Sequence, residues 1–145
     1  MSLESVCAAL MLDEGKRTNK AGRHILYQCP AKKWTLGYGR NVEDRGISES
    51  EAVDWLHSDV RDAAQDAAAL FASWLKIDEV RRDVLTNMSY NLGIKRLGKF
   101  HDLIAAVEAK DWVAATAAMV DSPWHSQVGD RSKRLEHQML TGLAT

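Results

Sequence analysis

Apolar side chains recur at three- and four-residue spacing over most of this chain, and the recurrence fails in one stretch. From the N-terminus, Leu3, Val6, Cys7, Leu10 and Met11 share one helical face. That predicts a short amphipathic helix over residues 2–14, running into Asp13 and Glu14 and stopping at Gly15. Between Lys16 and Gly46 the period breaks. Gly22, Pro30, Gly37, Gly39 and Gly46 punctuate short β-type runs, His24 to Gln28 and Trp34 to Tyr38, which predict a small twisted antiparallel sheet or a pair of hairpins. Ser48-Glu49-Ser50-Glu51 then has the form of a capping box, in which hydroxyl and carboxylate each satisfy the other residue's free backbone N–H. A helix over about residues 48–72 follows, with Val53, Leu56, Val60, Ala64, Ala67 and Leu70 or Phe71 on one stripe and neither Gly nor Pro to interrupt it. At about 1.5 Å per residue it would extend about 35 Å, more than the width of a small lobe. It is therefore expected to bridge two lobes.

Asp78 is placed to cap the next helix, with Val80, Val84, Leu85, Met88 and Leu92 inward and Gly93 as its stop. Further helical stretches are expected around Phe100 to Glu108, Asp111 to Val120 and Ser132 to Leu140, with Gly142 ending the last. Trp124, Trp112 and Trp74 are assigned to the core. No repeat, low-complexity segment or linker interrupts the pattern. The expected fold is α+β and mostly helical, a single domain over residues 1–145. Its parts are a β-containing lobe at about 15–47, the bridging helix, and a helical lobe at about 76–145 that includes the N-terminal helix.

Composition narrows the class. The chain has 145 residues, 46% hydrophobic and 27% charged, which suits one globular domain able to bury a core without metal or disulfides. No run approaches the roughly 18 apolar residues of a membrane span, and residues 3–12 lack the basic flank and cleavage site of a signal peptide. Two cysteines, Cys7 and Cys29, fit a reducing compartment, with one bridge between them as the alternative. The formal net charge of -1 divides into +4 over residues 1–40, -6 over 41–83 and +1 over 84–145. Nothing in that balance argues for nucleic acid. The basic first third could face an anionic polymer.

Few kinds of chemistry are open to these residues. The five histidines are scattered, no His-Glu-x-x-His occurs, and two cysteines twenty-two residues apart make no zinc knuckle, so neither metal nor cofactor is expected. Gly37-Tyr38-Gly39 lacks the strand, loop and helix context of a phosphate site. There is no Gly-x-Ser-x-Gly elbow. What remains is a carboxylate at a helix end beside a glycine-rich β region.

Asp13-Glu14-Gly15, Tyr27-Gln28-Cys29 and Trp34-Thr35-Leu36-Gly37-Tyr38-Gly39 together resemble the signature of the phage-type lysozymes, a muramidase family. The likeness continues through Val80-Arg81-Arg82, Asn87-Met88, Gly93, Phe100, Trp112, Ser122 to Gln127, Arg131 to Arg134 and Thr141-Gly142, in order and spacing. The resemblance implies a two-lobed lysozyme-like fold and a catalytic Glu14, Cys29 and Thr35. It also implies that Tyr38, Asn41, Tyr90, Asn91, Gln127 and Arg131 contact substrate, with Arg131 approaching Glu14. In chemical terms, glycoside cleavage needs an acid for the leaving oxygen and usually a second group to supply or activate the nucleophile. Partial burial at the helix end would raise the pKa of Glu14 and favour its acid form.

Cys29 departs from the family's usual Asp, although a Glu/Cys/Thr arrangement occurs among phage lysozymes. A thiol with pKa near 8.5 is only a few per cent thiolate at neutral pH, unless its site, Lys32 and Lys33 for example, depresses that value. Three roles stand open: base or water-positioning group, covalent nucleophile, or spectator. Water activation shared with Thr35 is favoured. The segment from Arg17 to His24 is longer than the family pattern and reads either as a longer hairpin or as a surface loop, and Arg40 replaces a family His.

The resemblance thus implies an endolysin that hydrolyses the β-1,4 bond between N-acetylmuramic acid and N-acetylglucosamine. Its partners would be peptidoglycan glycan strands and a holin or other export factor. It is expected to be a monomer without stable membrane insertion, held in the host cytoplasm until lysis, or else associated with the virion. A lytic transglycosylase using Glu14 alone and a non-catalytic wall-binding or virion structural protein are the alternatives.

Overall fold

The computed structural model describes residues 2–144. The fold is α+β and mostly helical, with one three-stranded antiparallel sheet, as the apolar pattern predicts. The chain forms two compact units, Met1–Val53 and Asp54–Thr145, and the division falls inside a helix.

The first unit opens with α1, Leu3–Glu14, whose first turn is closed by the Ser2 hydroxyl accepting the N–H of Ser5. No residue of α1 is buried, so its apolar stripe stays open rather than facing a core. Its signals are local: a Ser cap and a run rich in Ala, Leu, Met and Glu, all strong helix formers. The segment after it is a hairpin, with Thr18 bridged to His24 and Asn19 Oδ1 accepting the N–H groups of Ala21 and Arg23. Strands β1 (Tyr27–Gln28), β2 (Trp34–Leu36) and β3 (Arg40–Asn41) follow in spatial order β1-β2-β3. Thr35 sits at the centre, opposite Tyr27 on one side and Asn41 on the other. A short helix, α2 (Val42–Arg45), starts under an Asn41 cap.

Thr35 is the only buried residue among those described in this unit. Polar ties therefore replace an apolar core. Lys33 Nζ donates to Glu43 at 3.1 Å and to Asp44 at 2.9 Å, the Trp34 N–H donates to Glu43, and Arg40 pairs with Glu51.

The capping box forms as its spacing predicts: the Ser48 N–H donates to Glu51 Oε2 at 2.7 Å, and the Glu51 N–H donates to the Ser48 hydroxyl at 3.3 Å. It starts α3, Glu49–Leu70, 22 residues long. Of the expected stripe, Ala67 and Phe71 are buried, with Ala63 buried beside them; Leu56 and Val60 remain 45% and 40% exposed, lining an open cavity.

The second unit holds the core, built on Phe71, Leu85, Met88, Leu103, Met119 and Met139 with their neighbours. Burying one such side chain contributes about 1.5–3 kcal/mol, so the apolar stabilisation is concentrated here. A 3-10 turn, Trp74–Lys76, precedes α4 (Glu79–Leu92), which Asp78 caps and Gly93 ends at φ 74°. Then come α5 (Ile94–Leu97), α6 (His101–Glu108), α7 (Trp112–Val120), α8 (Pro123–Val128) and α9 (Asp130–Thr141). Helix α7 packs on α6 and α9, and α9 packs on α4. Trp124 is fully buried, while Trp74 and Trp112 pack at the margin of the core.

One side chain ties the ends of this unit together. Arg81 donates to Asp78 at 2.7 Å, to the Met139 carbonyl at 2.7 Å and to the Leu140 carbonyl at 3.0 Å, with its guanidinium 4.1 Å over the Trp112 ring. Those carbonyls belong to the last turn of α9, whose acceptors have no partner within the helix. Among the described residues, no helix is long and apolar enough to cross a membrane.

Candidate active site

Glu14 is the last residue of α1, and Gly15 at φ 65° turns the chain away after it. Its carboxyl reaches the turn between β2 and β3. A Cβ on Gly39 would stand 2.6 Å from Glu14 Oε2 and 3.0 Å from its Cδ, a separation that only a glycine permits. Gly39 also has φ 78°, where side chains are strained. Glu14 is exposed, so the partial burial expected at the helix end is absent: α1 buries none of its residues, and the carboxyl lies against the backbone of Gly39.

Cys29 lies in a tight turn between β1 and β2. Its carbonyl accepts the Lys32 N–H at 2.8 Å, its own N–H donates to the Lys33 carbonyl at 3.0 Å, and Pro30 presets the turn. The thiol is held below its ordinary value chiefly by the backbone N–H of Lys33. Partial desolvation opposes this, and the Ala31 N–H and the Thr35 hydroxyl add to it. Donors aimed at a sulfur favour the thiolate. The Lys33 ammonium has a different place from the one expected. Lys33 Nζ is bound to Glu43 and Asp44, so the lowering comes from peptide dipoles rather than a neighbouring cation.

Thr35 is 2% exposed, and its hydroxyl donates to the Lys33 carbonyl at 3.0 Å as well as meeting Cys29. Its pairing with Tyr27 and Asn41 fixes it in the middle of the sheet. Tyr38, in the β2–β3 turn, is held edge-on by His24 with ring centroids 5.2 Å apart. The long segment after α1 thus contributes a hairpin side chain that supports this turn. Asn41 spends its amide on α2, accepting the Asp44 N–H at 3.1 Å and donating to the Asp44 carboxylate at 2.9 Å. Arg40, at the position of the family His, pairs with Glu51 and donates to the Gly46 carbonyl at 3.2 Å. Both cysteines are free thiols, and Cys7 is exposed.

In the second unit Tyr90 and Arg131 line one cavity of about 310 Å³ together with Leu56, Val60, Asp83, Thr86 and Asn87. The Asn87 Oδ1 is buried there without a partner, and burial pushes the Asp83 carboxyl up, with Glu79 adding and Arg82 opposing. Asn91 is exposed at the end of α4, and Gln127 Oε1 accepts from Arg96 at 3.4 Å. Among the described residues no cluster of His, Cys, Asp and Glu is arranged to hold a metal ion.

The chain's residues 18–142 match the Phage lysozyme family. The chain belongs to that family. It is 29% identical over 99 residues to the pre-baseplate central spike protein Gp5 of Enterobacteria phage T4, across 66% of this chain and 17% of that protein. Two probable T4-type lysozymes of Dictyostelium discoideum are 26% and 28% identical across 66% of this chain, covering 58% and 56% of their own lengths. This phage lysozyme family member therefore aligns with less than two thirds of each of those relatives.

The family match begins after Glu14 and includes Cys29, Thr35 and all six expected substrate contacts. Two features of this family member escaped sequence reasoning. The backbone N–H of Lys33 carries no mark in its side chain, and the orphaned Asn87 oxygen looked like any polar residue beside the core position Met88. The close approach at Gly39 was half visible, since a glycine in a tight turn invites contact but does not name the partner.

Proposed function

We propose that this chain is a muramidase hydrolysing the β-1,4 bond between N-acetylmuramic acid and N-acetylglucosamine in peptidoglycan. Glu14 gives its proton to the leaving oxygen as the anomeric carbon gains oxocarbenium character. A water oriented by Thr35 attacks that carbon and passes a proton to the Cys29 thiolate. The placement of Glu14 on the β2–β3 turn carries this reading, because β2 also presents Thr35 to Cys29. Tyr38, Asn41, Tyr90, Asn91, Gln127 and Arg131 are the proposed substrate contacts. Arg131 and Tyr90, on one cavity with the unpartnered Asn87 oxygen, offer a cation, a ring and an acceptor to an acetamido sugar. The protein acts as a monomer on glycan strands and needs a holin or another route to the wall.

Two observations favour second readings. A thiol in place of a carboxylate suits a lytic transglycosylase, where a sugar hydroxyl attacks and Glu14 suffices. Likeness to a T4 spike protein suits a virion-borne lysozyme, or a structural protein without activity, over a free endolysin. Mass spectrometry of fragments from purified sacculi separates the chemistries: reducing ends mark hydrolysis and 1,6-anhydro ends mark transglycosylation. Glu14→Gln should abolish clearing of permeabilised Gram-negative cells. Retained clearing in that variant would remove Glu14 as the acid, and a wild type that binds sacculi without releasing fragments would leave only the structural role.

A further inference from the structure

We infer that His125 and Glu136 are positioning residues for substrate binding, fixing the α8–α9 turn that carries Gln127 and Arg131. The inference rests on the muramidase reading, in which those two side chains contact glycan. Helix α8 has six residues, too few to hold a conformation alone. Pro123 and the buried Trp124 secure its first turn, but its other end runs into Gly129 at φ 58° before α9 begins.

Three polar contacts cross that turn. His125 Nδ1 lies 2.5 Å from Glu136 Oε1, the Ser132 hydroxyl donates to the Gly129 carbonyl at 2.7 Å, and the same hydroxyl lies 3.3 Å from the same His125 nitrogen. Glu136 is 8% exposed and Ser132 1%. A buried polar contact so placed is a poor source of stability, since apolar side chains of similar volume often replace one without loss. What the contact does supply is direction, because an imidazole gripped through Nδ1 admits one orientation of α8 on α9. The grouping of Ser, His and Glu is not a nucleophilic triad. Both partners meet Nδ1, whereas a base must face its hydroxyl with one ring nitrogen and its carboxylate with the other. Glu136 instead fixes the ring with its proton on Nδ1. Gln127 lies two residues beyond His125, and Arg131 immediately precedes Ser132, so any slip of this lock displaces both.

The test is steady-state cleavage of soluble peptidoglycan strands by the full chain. Glu136→Leu should raise KM about tenfold with kcat within about twofold, because binding geometry is lost and the acid is untouched. Glu136→Gln, which keeps an acceptor for Nδ1–H, should restore most of it. Arg131→Ala should weaken binding in the wild type yet add little in the Glu136→Leu background, as coupled groups do. An unchanged KM in a folded, active Glu136→Leu protein, or additive losses, would overturn the positioning role. Should Glu136→Leu not fold, nitrogen-15 spectra of the wild-type imidazole decide: Nδ1–H supports the lock and a neutral Nε2–H tautomer overturns it. A wild type that releases no fragments defeats the muramidase reading instead, whatever the spectra show.

Discussion

The carboxylate of Glu14 rests against the α-carbon of Gly39, so close that a Cβ there would come within 2.6 Å of Oε2. Gly37, two residues earlier in the same turn, has a similar positive φ of 66° but no atom within 4 Å of its would-be Cβ. The two glycines separate backbone strain from displacement of the acid. Gly37→Ala and Gly39→Ala should each cost about 1 kcal/mol in thermal or denaturant unfolding, through strain at positive φ. Only Gly39→Ala should also cut the rate of fragment release, by about tenfold or more, since Glu14 must move away. Equal rates in the two variants would show that the approach of Glu14 to Gly39 has no part in catalysis.

The Cys29 thiol is the second testable group. Its lowered pKa places the midpoint of its alkylation by iodoacetamide, followed against pH in a Cys7→Ser background, below that of an unperturbed thiol. Thr35→Val removes one donor and should move that midpoint upward. If the thiolate is the proton acceptor, the rate rises with pH through the same midpoint, and Cys29→Asp abolishes that limb while keeping activity. Near-wild-type activity in Cys29→Ala would make the thiol a spectator.

Acid should loosen the first unit before the second. Glu43, Asp44 and Glu51 are all held below their ordinary values: Glu43 first by the Trp34 N–H, Asp44 first by Lys33 and Glu51 first by the Ser48 N–H. A carboxyl lowered in the folded state adds stability that is complete above its unfolded pKa, about 4, and lost as pH falls through the folded value. The second unit has Asp78 lowered but Asp83 raised, with opposite signs, and it keeps an apolar core that does not titrate. Hydrogen exchange, corrected for its intrinsic pH dependence, should show protection falling in residues 27–45 between pH 6 and 3 while α4 and α9 stay protected. Uniform loss across the chain would contradict this.

Gly142 and Arg81 should fail together. A Cβ on Gly142 would meet Arg81 Nη1 at 2.7 Å and Cζ at 3.1 Å, at a backbone φ of 70°. Gly142→Ala and Arg81→Ala are each expected to cost about 2–3 kcal/mol, and the double variant much less than the sum, because both release the same contacts. Denaturant unfolding of the four proteins checks this.

Much of this arrangement was legible because its causes are local. Ser48 and Glu51 announce their own reciprocal bonds, Asp78 and Gly93 bracket α4, and the glycines between Lys16 and Gly46 mark where helix gives way to turns. Periodicity failed where burial depends on what lies opposite. Leu3, Leu10, Leu56 and Val60 repeat as core residues should, yet all four are exposed. Short helices α5 and α8 were hidden for the complementary reason, since four or six residues carry too little period to stand out. In the candidate site, residue types pointed only to a carboxylate at the end of α1, and the family resemblance supplied Cys29 and Thr35. The agent that lowers the thiol was invisible, because every residue but proline has the same N–H and only the fold aims it.

The Arg81 clamp also bears on when this protein can fold as it is made. It joins residues 58 positions apart, Arg81 and Met139, and its last acceptor is the Leu140 carbonyl. A ribosome adding about 5–20 residues per second therefore exposes the apolar face of α4, with Val84, Leu85, Met88 and Leu92, several seconds before α9 exists to pack on it. Until then the Arg81 guanidinium has Asp78 and Trp112 but none of its carbonyl partners. The helical unit closes in a late step, and nascent chains stopped before α9 would be the ones that chaperones hold.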